Sequence, residues 1–151
     1  MQVGELAPDF LLKDQNGNDV KLSEIKGKRI LLSFHPLAWT EVCAKQMKSL
    51  EKNRDIFDSL NTIALGISVD SVPCKKAWAD SLSITKVQLL SDFWPHGEVA
   101  AAYGIFREKN GFSERANIIL DVDHKAAFIK IYEISKLPDI TEIIEVLKQM
   151  P

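Results

Sequence analysis

Pro36, Thr40 and Cys43 fall within eight residues, where the apolar run Arg29-Ile30-Leu31-Leu32-Ser33-Phe34 gives way to a helical pattern. A helix start gathers unpaired N–H groups and the positive end of the helix dipole. A thiol there loses its proton more readily and becomes a nucleophile near neutral pH. Thr40 lies one helical turn before Cys43, so its hydroxyl is expected to donate to the thiolate and accept from a bound hydroxyl. The N–H groups of Val42 and Cys43 are expected to point into the same pocket. Pro36 lacks an N–H and has a fixed φ, so it stiffens the turn and shields the site. Such a site suits attack on the O–O bond of a peroxide, where the departing oxygen needs preorganised donors. Arg115 is the candidate cation, although a charged residue opening an apolar strand is also often just an exposed end.

The elements that must hold these residues follow from patterning. Asp9–Lys13 and Asp19–Leu22 flank an Asn-Gly turn and read as a hairpin. Ser23 is expected to cap a short helical turn ending at Gly27. The run 29–34 is apolar throughout, as in a strand covered on both faces. The helix from Thr40 repeats Cys43, Met47, Leu50 and Phe57 inward, with Lys45, Lys48, Glu51 and Lys52 outward. A second buried strand, 62–69, leads to a helix over 73–82 capped by Asp70 or Ser71, with Cys74, Ala77 and Trp78 on one face. Residues 87–90 form a third strand, and 95–103 a helix stopped by Gly104. Residues 115–121 and 126–132 form a second hairpin. A last helix begins at Asp139, with Glu142 completing a capping box and Ile140, Ile143, Ile144 and Leu147 inward. Alternating strands and helices that close on an antiparallel hairpin give an α/β, thioredoxin-like fold. Its central mixed β-sheet is flanked by helices and preceded by an N-terminal β-hairpin. Reactive groups in such sheets sit where strands end and helices begin.

Composition narrows the function. The chain has 151 residues, 46% apolar and 26% charged, which suits a single domain over residues 1–151. A net charge of -2 gives no footprint for nucleic acid and no patch for a membrane surface. No apolar run reaches the roughly 20 residues of a membrane helix. Met1–Pro8 has neither a basic nor an apolar leader region, so no signal peptide is expected. Two cysteines are too few for a disulfide scaffold, which points to the cytoplasm. No cofactor is expected: glycine motifs for phosphate are missing, and His35, His96, His124 and the cysteines lack ligand spacing, so no metal is expected.

Pro36-x-x-x-Thr40-x-x-Cys43 resembles the active-site motif of the peroxiredoxins, the cysteine-dependent peroxidases of the thioredoxin superfamily. The likeness extends through Gly4–Phe10, Gly66–Ser71 with Ala77-Trp78, Leu90–Gly97 with Ala102–Gly104, and Arg115 with Ile118–Asp121. It covers about residues 3–149. The run Ser91-Asp92-Phe93-Trp94-Pro95-His96-Gly97 is similar to the one-cysteine-like subgroup that includes the alkyl hydroperoxide reductase E proteins. The resemblance implies that Pro36, Thr40, Cys43 and Arg115 take the four active-site positions. It implies a peroxidase for hydrogen peroxide and organic hydroperoxides, recycled by a thioredoxin-like or other thiol reductant. Trp39, Phe93 and Trp94 are core residues or a contact in a possible homodimer. The chain departs from the family pattern at His35, Trp39, Ala44 and Gln46, the last of which stands where many members have Glu.

Peroxide turns the attacking thiolate into a sulfenic acid, which a second thiol must resolve. Cys74 is the internal candidate for that role. Equally, it reads as a small buried residue beside Ala77 and Trp78. Two other functions compete with the peroxidase. A thioredoxin-type oxidoreductase would want Cys-x-x-Cys, and position 46 is Gln. A thiol-based redox sensor would use the same thiol to relay oxidation to a partner.

Overall fold

The computed structural model describes residues 1–151. Nine strands and five α-helices form in chain order. They are β1 (Leu11–Lys13), β2 (Asp19–Lys21), β3 (Arg29–Phe34), α1 (Glu41–Lys52), α2 (Arg54–Ser59), β4 (Thr62–Ser68), α3 (Val72–Ser81), β5 (Gln88–Ser91), α4 (Glu98–Ala102), β6 (Phe106–Arg107), β7 (Phe112–Ser113), β8 (Arg115–Leu120), β9 (Ala126–Tyr132) and α5 (Ile140–Gln149). Seven strands make one sheet in the order β2-β1-β5-β4-β3-β8-β9. β3, β4 and β5 are parallel, while β8 pairs antiparallel with both β3 and β9. This is the mixed, two-faced sheet that the patterning predicts. No helix is long and apolar enough to cross a membrane.

The alternation of side chains along β3 divides the core. Ile30, Leu32 and Phe34 join Leu65, Ile67, Tyr103 and Ile118 on one face. Leu31 joins Cys43, Met47, Leu50, Phe57, Trp78 and Ile143 on the other, under α1, α2, α3 and α5. Ser33 falls on that second face and bonds the α1 side chain of Gln46. Both faces are covered, which is why β3 carries no alternating polar code. Gly66 lets α1 press close to the sheet: a Cβ there would run into Met47 Sδ and lie 2.9 Å from Leu89 Cδ2.

Several expected details change. The helix from Thr40 does not continue to Phe57. It ends at Asn53, whose side-chain amide donates to the Ser49 carbonyl, and α2 then carries Phe57 inward on a new axis. The expected helix over 95–103 begins only at Glu98. Gly97 takes φ 71°, and the Asp92 carboxylate accepts from the N–H groups of Val99 and Ala100. Ser23 does not cap the short turn at Leu22–Glu24; instead its own N–H donates to Asp9. Glu142 completes no capping box, because its carboxylate turns to Lys130 and Tyr132. Asp139 still caps α5 by accepting from Thr141 N–H. The buried face of α3 holds Lys75, Trp78 and Ala79, while Ala77 is exposed. The β6–β7 hairpin has no counterpart in the sequence expectations; its strands are two residues each, too short for a period to register.

Glu51 is the most consequential of these corrections. It is half-buried and bonded rather than free in solvent. Its carboxylate accepts from the N–H groups of Thr85, Lys86 and Val87 and from the Thr85 hydroxyl, tying α1 to the entry of β5. Burial alone would raise this carboxyl, but those hydrogen bonds outweigh it and hold it below its ordinary value. A carboxyl lowered in the folded state stabilises above its unfolded value, near pH 4.5, and loses that contribution as pH falls through the folded value. Glu51→Gln is therefore expected to be less stable at pH 7 by about 1–3 kcal/mol. It should also lose less on acidification than the parent, as read from urea midpoints at pH 7 and pH 3.

Candidate active site

The turn between β3 and α1 is held from below. His35 N–H continues the β3–β4 ladder by donating to the Ile67 carbonyl at 3.0 Å. Pro36 follows and is buried. Ala38 N–H donates to Asp70 Oδ2 at 2.8 Å, and the Ser68 hydroxyl donates to the same oxygen at 2.6 Å. Trp39 sits at φ 68°, in the left-handed region that costs a non-glycine residue about 1 kcal/mol or more. Thr40 is the N-cap of α1, and its carbonyl accepts from Ala44 N–H. Its hydroxyl donates to the Leu37 carbonyl at 2.7 Å, within the turn, and makes no hydrogen bond to Cys43.

Cys43 is the third residue of α1 and is fully buried. Arg115 opens β8 and is 2% exposed, so it is no frayed strand end. Antiparallel register pairs Phe34 with Ala116, which sets Arg115 beside the start of α1. Its Nη1 donates to Cys43 Sγ at 3.3 Å and to Gln46 Oε1 at 2.7 Å. Nε and Nη2 donate to the Ile134 carbonyl at 3.0 and 2.7 Å. Gln46 uses its other end to donate to Ser33 Oγ at 2.8 Å and to the Phe34 carbonyl at 3.1 Å. The polar bond at position 46 is therefore made, with Gln in place of Glu. The guanidinium is fixed at every nitrogen and aimed at sulfur, so it can meet a developing negative charge without reorganising.

A cavity of about 270 Å3 opens over this group and is lined mainly by apolar side chains. Pro36, Thr40 and Arg115 reach its wall, together with Val42, Phe112 from β7 and Ile134 after β9. Pro36, Thr40, Cys43 and Arg115 thus gather from two distant stretches. Cys74 stays apart from the Arg115–Gln46 network. Its N–H donates to the Ser71 hydroxyl and its thiol to Asp70 Oδ1 at 3.8 Å, and both cysteines are free. Burial and the charge of Asp70 push the Cys74 thiol up.

Sequence reasoning did not find Asp70 as the anchor of the turn, the Ile134 carbonyl as the seat of Arg115, or Phe112 as a wall. It placed Gln46 only as a departure. Gln46 lies one turn beyond Cys43, so the spacing signal for a shared face was present.

The fold and this geometry define a thioredoxin-like protein with a thiol held at a helix start under an arginine. The chain belongs to the AhpC/TSA family, whose model matches residues 3–129. It is similar to alkyl hydroperoxide reductase E of Mycobacterium tuberculosis, at 43% identity over 122 residues, 80% of this chain and 79% of that protein. It is 34% identical over 129 residues to peroxiredoxin-1 of Gekko japonicus, covering 79% of this chain and 64% of that one. Among solved structures, the reduced 2-Cys peroxiredoxin of Plasmodium vivax superposes with a TM-score of 0.88 at 26% identity, over 98% of this chain and 81% of that one. Peroxidoxin BcpB of Mycobacterium tuberculosis gives 0.87 at 25% identity, over 100% and 99%. By family the chain is a cysteine-dependent peroxidase, a peroxiredoxin.

Gln46→Leu removes both ends of the amide, leaving an Arg115 N–H and Ser33 Oγ buried without that partner. Urea denaturation should show a loss of about 1–3 kcal/mol with an unchanged slope. Parental stability would mean that the amide does not anchor the arginine.

Proposed function

We propose that Cys43 is the attacking thiol and that it reduces hydrogen peroxide and organic hydroperoxides. The observation that carries this reading is the 3.3 Å contact between Arg115 Nη1 and Cys43 Sγ, with both residues buried. The thiolate attacks one peroxide oxygen, the S–O bond forms as the O–O bond breaks, and the alcohol or water leaves with a proton. Arg115 stabilises the thiolate and the charge growing on the departing oxygen. Pro36 keeps bulk water from the sulfur. Thr40 occupies the N-cap position of α1 and, through its bond to Leu37, shapes the mouth of the cavity.

The sulfenic acid is resolved from outside, by a thioredoxin-like or other thiol reductant. The raised Cys74 thiol and its attachment to Asp70 support this over internal resolution. A fruit-fly relative, 31% identical, is named as a thioredoxin-dependent peroxide reductase. The exposed aromatic side chains of Trp39, Phe93 and Trp94 support a homodimer. Two free cysteines support a cytoplasmic setting. One sheet with a core on each face supports a single domain over residues 1–151.

Cys43→Ser should abolish peroxide consumption, and Arg115→Met should slow Cys43 oxidation by about 10²–10³-fold, both followed by stopped-flow tryptophan fluorescence. Undiminished turnover by Cys43→Ser overturns the assignment. Intact mass after one equivalent of peroxide should rise by one oxygen. A loss of two hydrogens would identify a Cys43–Cys74 disulfide and overturn external resolution.

A further inference from the structure

Lys75 is a fully buried lysine in the first turns of α3, on the same side of the sheet as Cys43. Its Nζ lies 2.7 Å from His35 Nε2 and 5.4 Å from the centre of the Trp78 ring. No carboxylate bonds it. Asp70, whose charge acts on the amine, is already occupied by Ala38 N–H, Ser68 and Cys74. His35 is itself fully buried and sits on the strand end that carries the Cys43 turn. Its Nδ1 lies 3.4 Å from the Ser33 carbonyl, which assigns the ring proton to Nδ1 and leaves Nε2 to accept from the amine. A buried amine with one neutral partner costs several kcal/mol relative to an apolar side chain of the same length. Packing alone would be better served by Met, so the position calls for a use of the charge.

We propose that Lys75, seated on His35, is a positioning residue for the peroxidase reaction: its ammonium form stabilises the Cys43 thiolate and reverts to the amine when that charge is consumed. This rests on Cys43 being the attacking thiol. His35 at the end of β3 touches the amine, the charges of Asp70 before α3, Cys43 on α1 and Cys74 on α3 act on it, and Arg115 acts on His35 from β8. Burial drives the amine down to about 7, against the pull of Asp70, Cys43 and Cys74. Burial and the Lys75 charge hold His35 well below its ordinary value, so the histidine stays a neutral acceptor. The amine therefore gains or loses a proton near pH 7.

The protons balance across the cycle. Cys43–SH and Lys75–NH2 become Cys43–S⁻ and Lys75–NH3⁺, with no net charge added to the interior. The thiolate then attacks the peroxide, sulfur is oxidised to sulfenic acid, and the peroxide is reduced to the alcohol, whose oxygen takes one proton from solvent. With the thiolate gone, Lys75 releases one proton to solvent. The sum is thiol plus hydroperoxide giving sulfenic acid plus alcohol.

The test compares the pH profile of Cys43 alkylation by iodoacetamide in the parent and in Lys75→Met, each in a Cys74→Ser background and each checked for native circular dichroism. The variant should react roughly threefold to tenfold more slowly between pH 6 and pH 7, the scale of a nearby buried charge acting on an ionisation, and converge with the parent at high pH. Superimposable profiles would overturn the proposal while leaving Cys43 as the attacking thiol, which loss of turnover in Cys43→Ser tests separately. A second measurement does not depend on Lys75→Met folding. By reciprocal linkage, the Lys75 amine, followed by NMR of the labelled side chain, should titrate lower in Cys43→Ser than in the parent. An unchanged amine titration overturns the proposal.

Discussion

The contact between Arg115 and Cys43 exists only because two strands far apart in the chain lie side by side. β3 delivers the cysteine turn and β8 delivers the guanidinium, and the antiparallel register between Phe34 and Ala116 fixes their separation. A slip of one residue in that register would turn Arg115 to the opposite face, away from sulfur. The buried apolar side chains on both faces of β3 and β8 make such a slip costly, since each strand would expose or invert its whole set. The hydrophobic core is therefore what aligns the charge with the thiol.

A buried guanidinium has its own cost, which the structure offsets by hydrogen bonds to every nitrogen. Ile134 supplies a carbonyl to two of them, and Gln46 supplies an amide oxygen to the third. Gln46 is in turn held by Ser33 and the Phe34 carbonyl, so the strand that carries the turn also orients the arginine's partner. Sulfur is the weakest acceptor in this set. It keeps the remaining capacity of Nη1, so the cation is aimed at sulfur but not neutralised by a carboxylate. A carboxylate at position 46 would stabilise the arginine more and would also dilute its field at the thiol. The neutral amide leaves the full positive charge beside the thiol.

Much of this was legible in the sequence where polarity follows burial. The apolar run 29–34, the inward period of Met47 and Leu50, and the polar turn at Asn16-Gly17 each signal one element by one rule. Pro36, Thr40 and Cys43 were legible because local spacing at a strand–helix junction carries them. The residues that escaped are polar groups bonded within the fold. Glu51, Gln46 and Lys75 carry side chains whose polarity alone assigns them to solvent, yet each finds partners more than ten residues away in sequence. Arg115 was ambiguous for the same reason, because only the pairing of β3 with β8 distinguishes an exposed end from a buried cation. Thr40 was placed correctly on the helix start, but its hydroxyl direction depends on the turn's backbone, where Trp39 adopts a left-handed conformation that no pattern signals.

These polar groups fall into two networks that share Ser33, and the first of them reaches Cys43. One runs from Ser33 through Gln46 to Arg115, above the thiol. The other runs from Asp70 to the Ala38 N–H and Cys74, with Lys75 and His35 beside it, below the turn. The upper network is permanently charged, since a guanidinium does not titrate in the working range. The lower one holds a group that does, and it is attached to the backbone that carries Pro36 and Thr40. A site built on the upper network alone would have constant affinity for a thiolate. With the proposed role for Lys75, a titrating amine lets the interior's charge follow the state of the sulfur, so a thiolate forms and disappears without leaving an unbalanced charge in the core. Burying a lysine at a position that would accept methionine is consistent with that use and with no gain in packing.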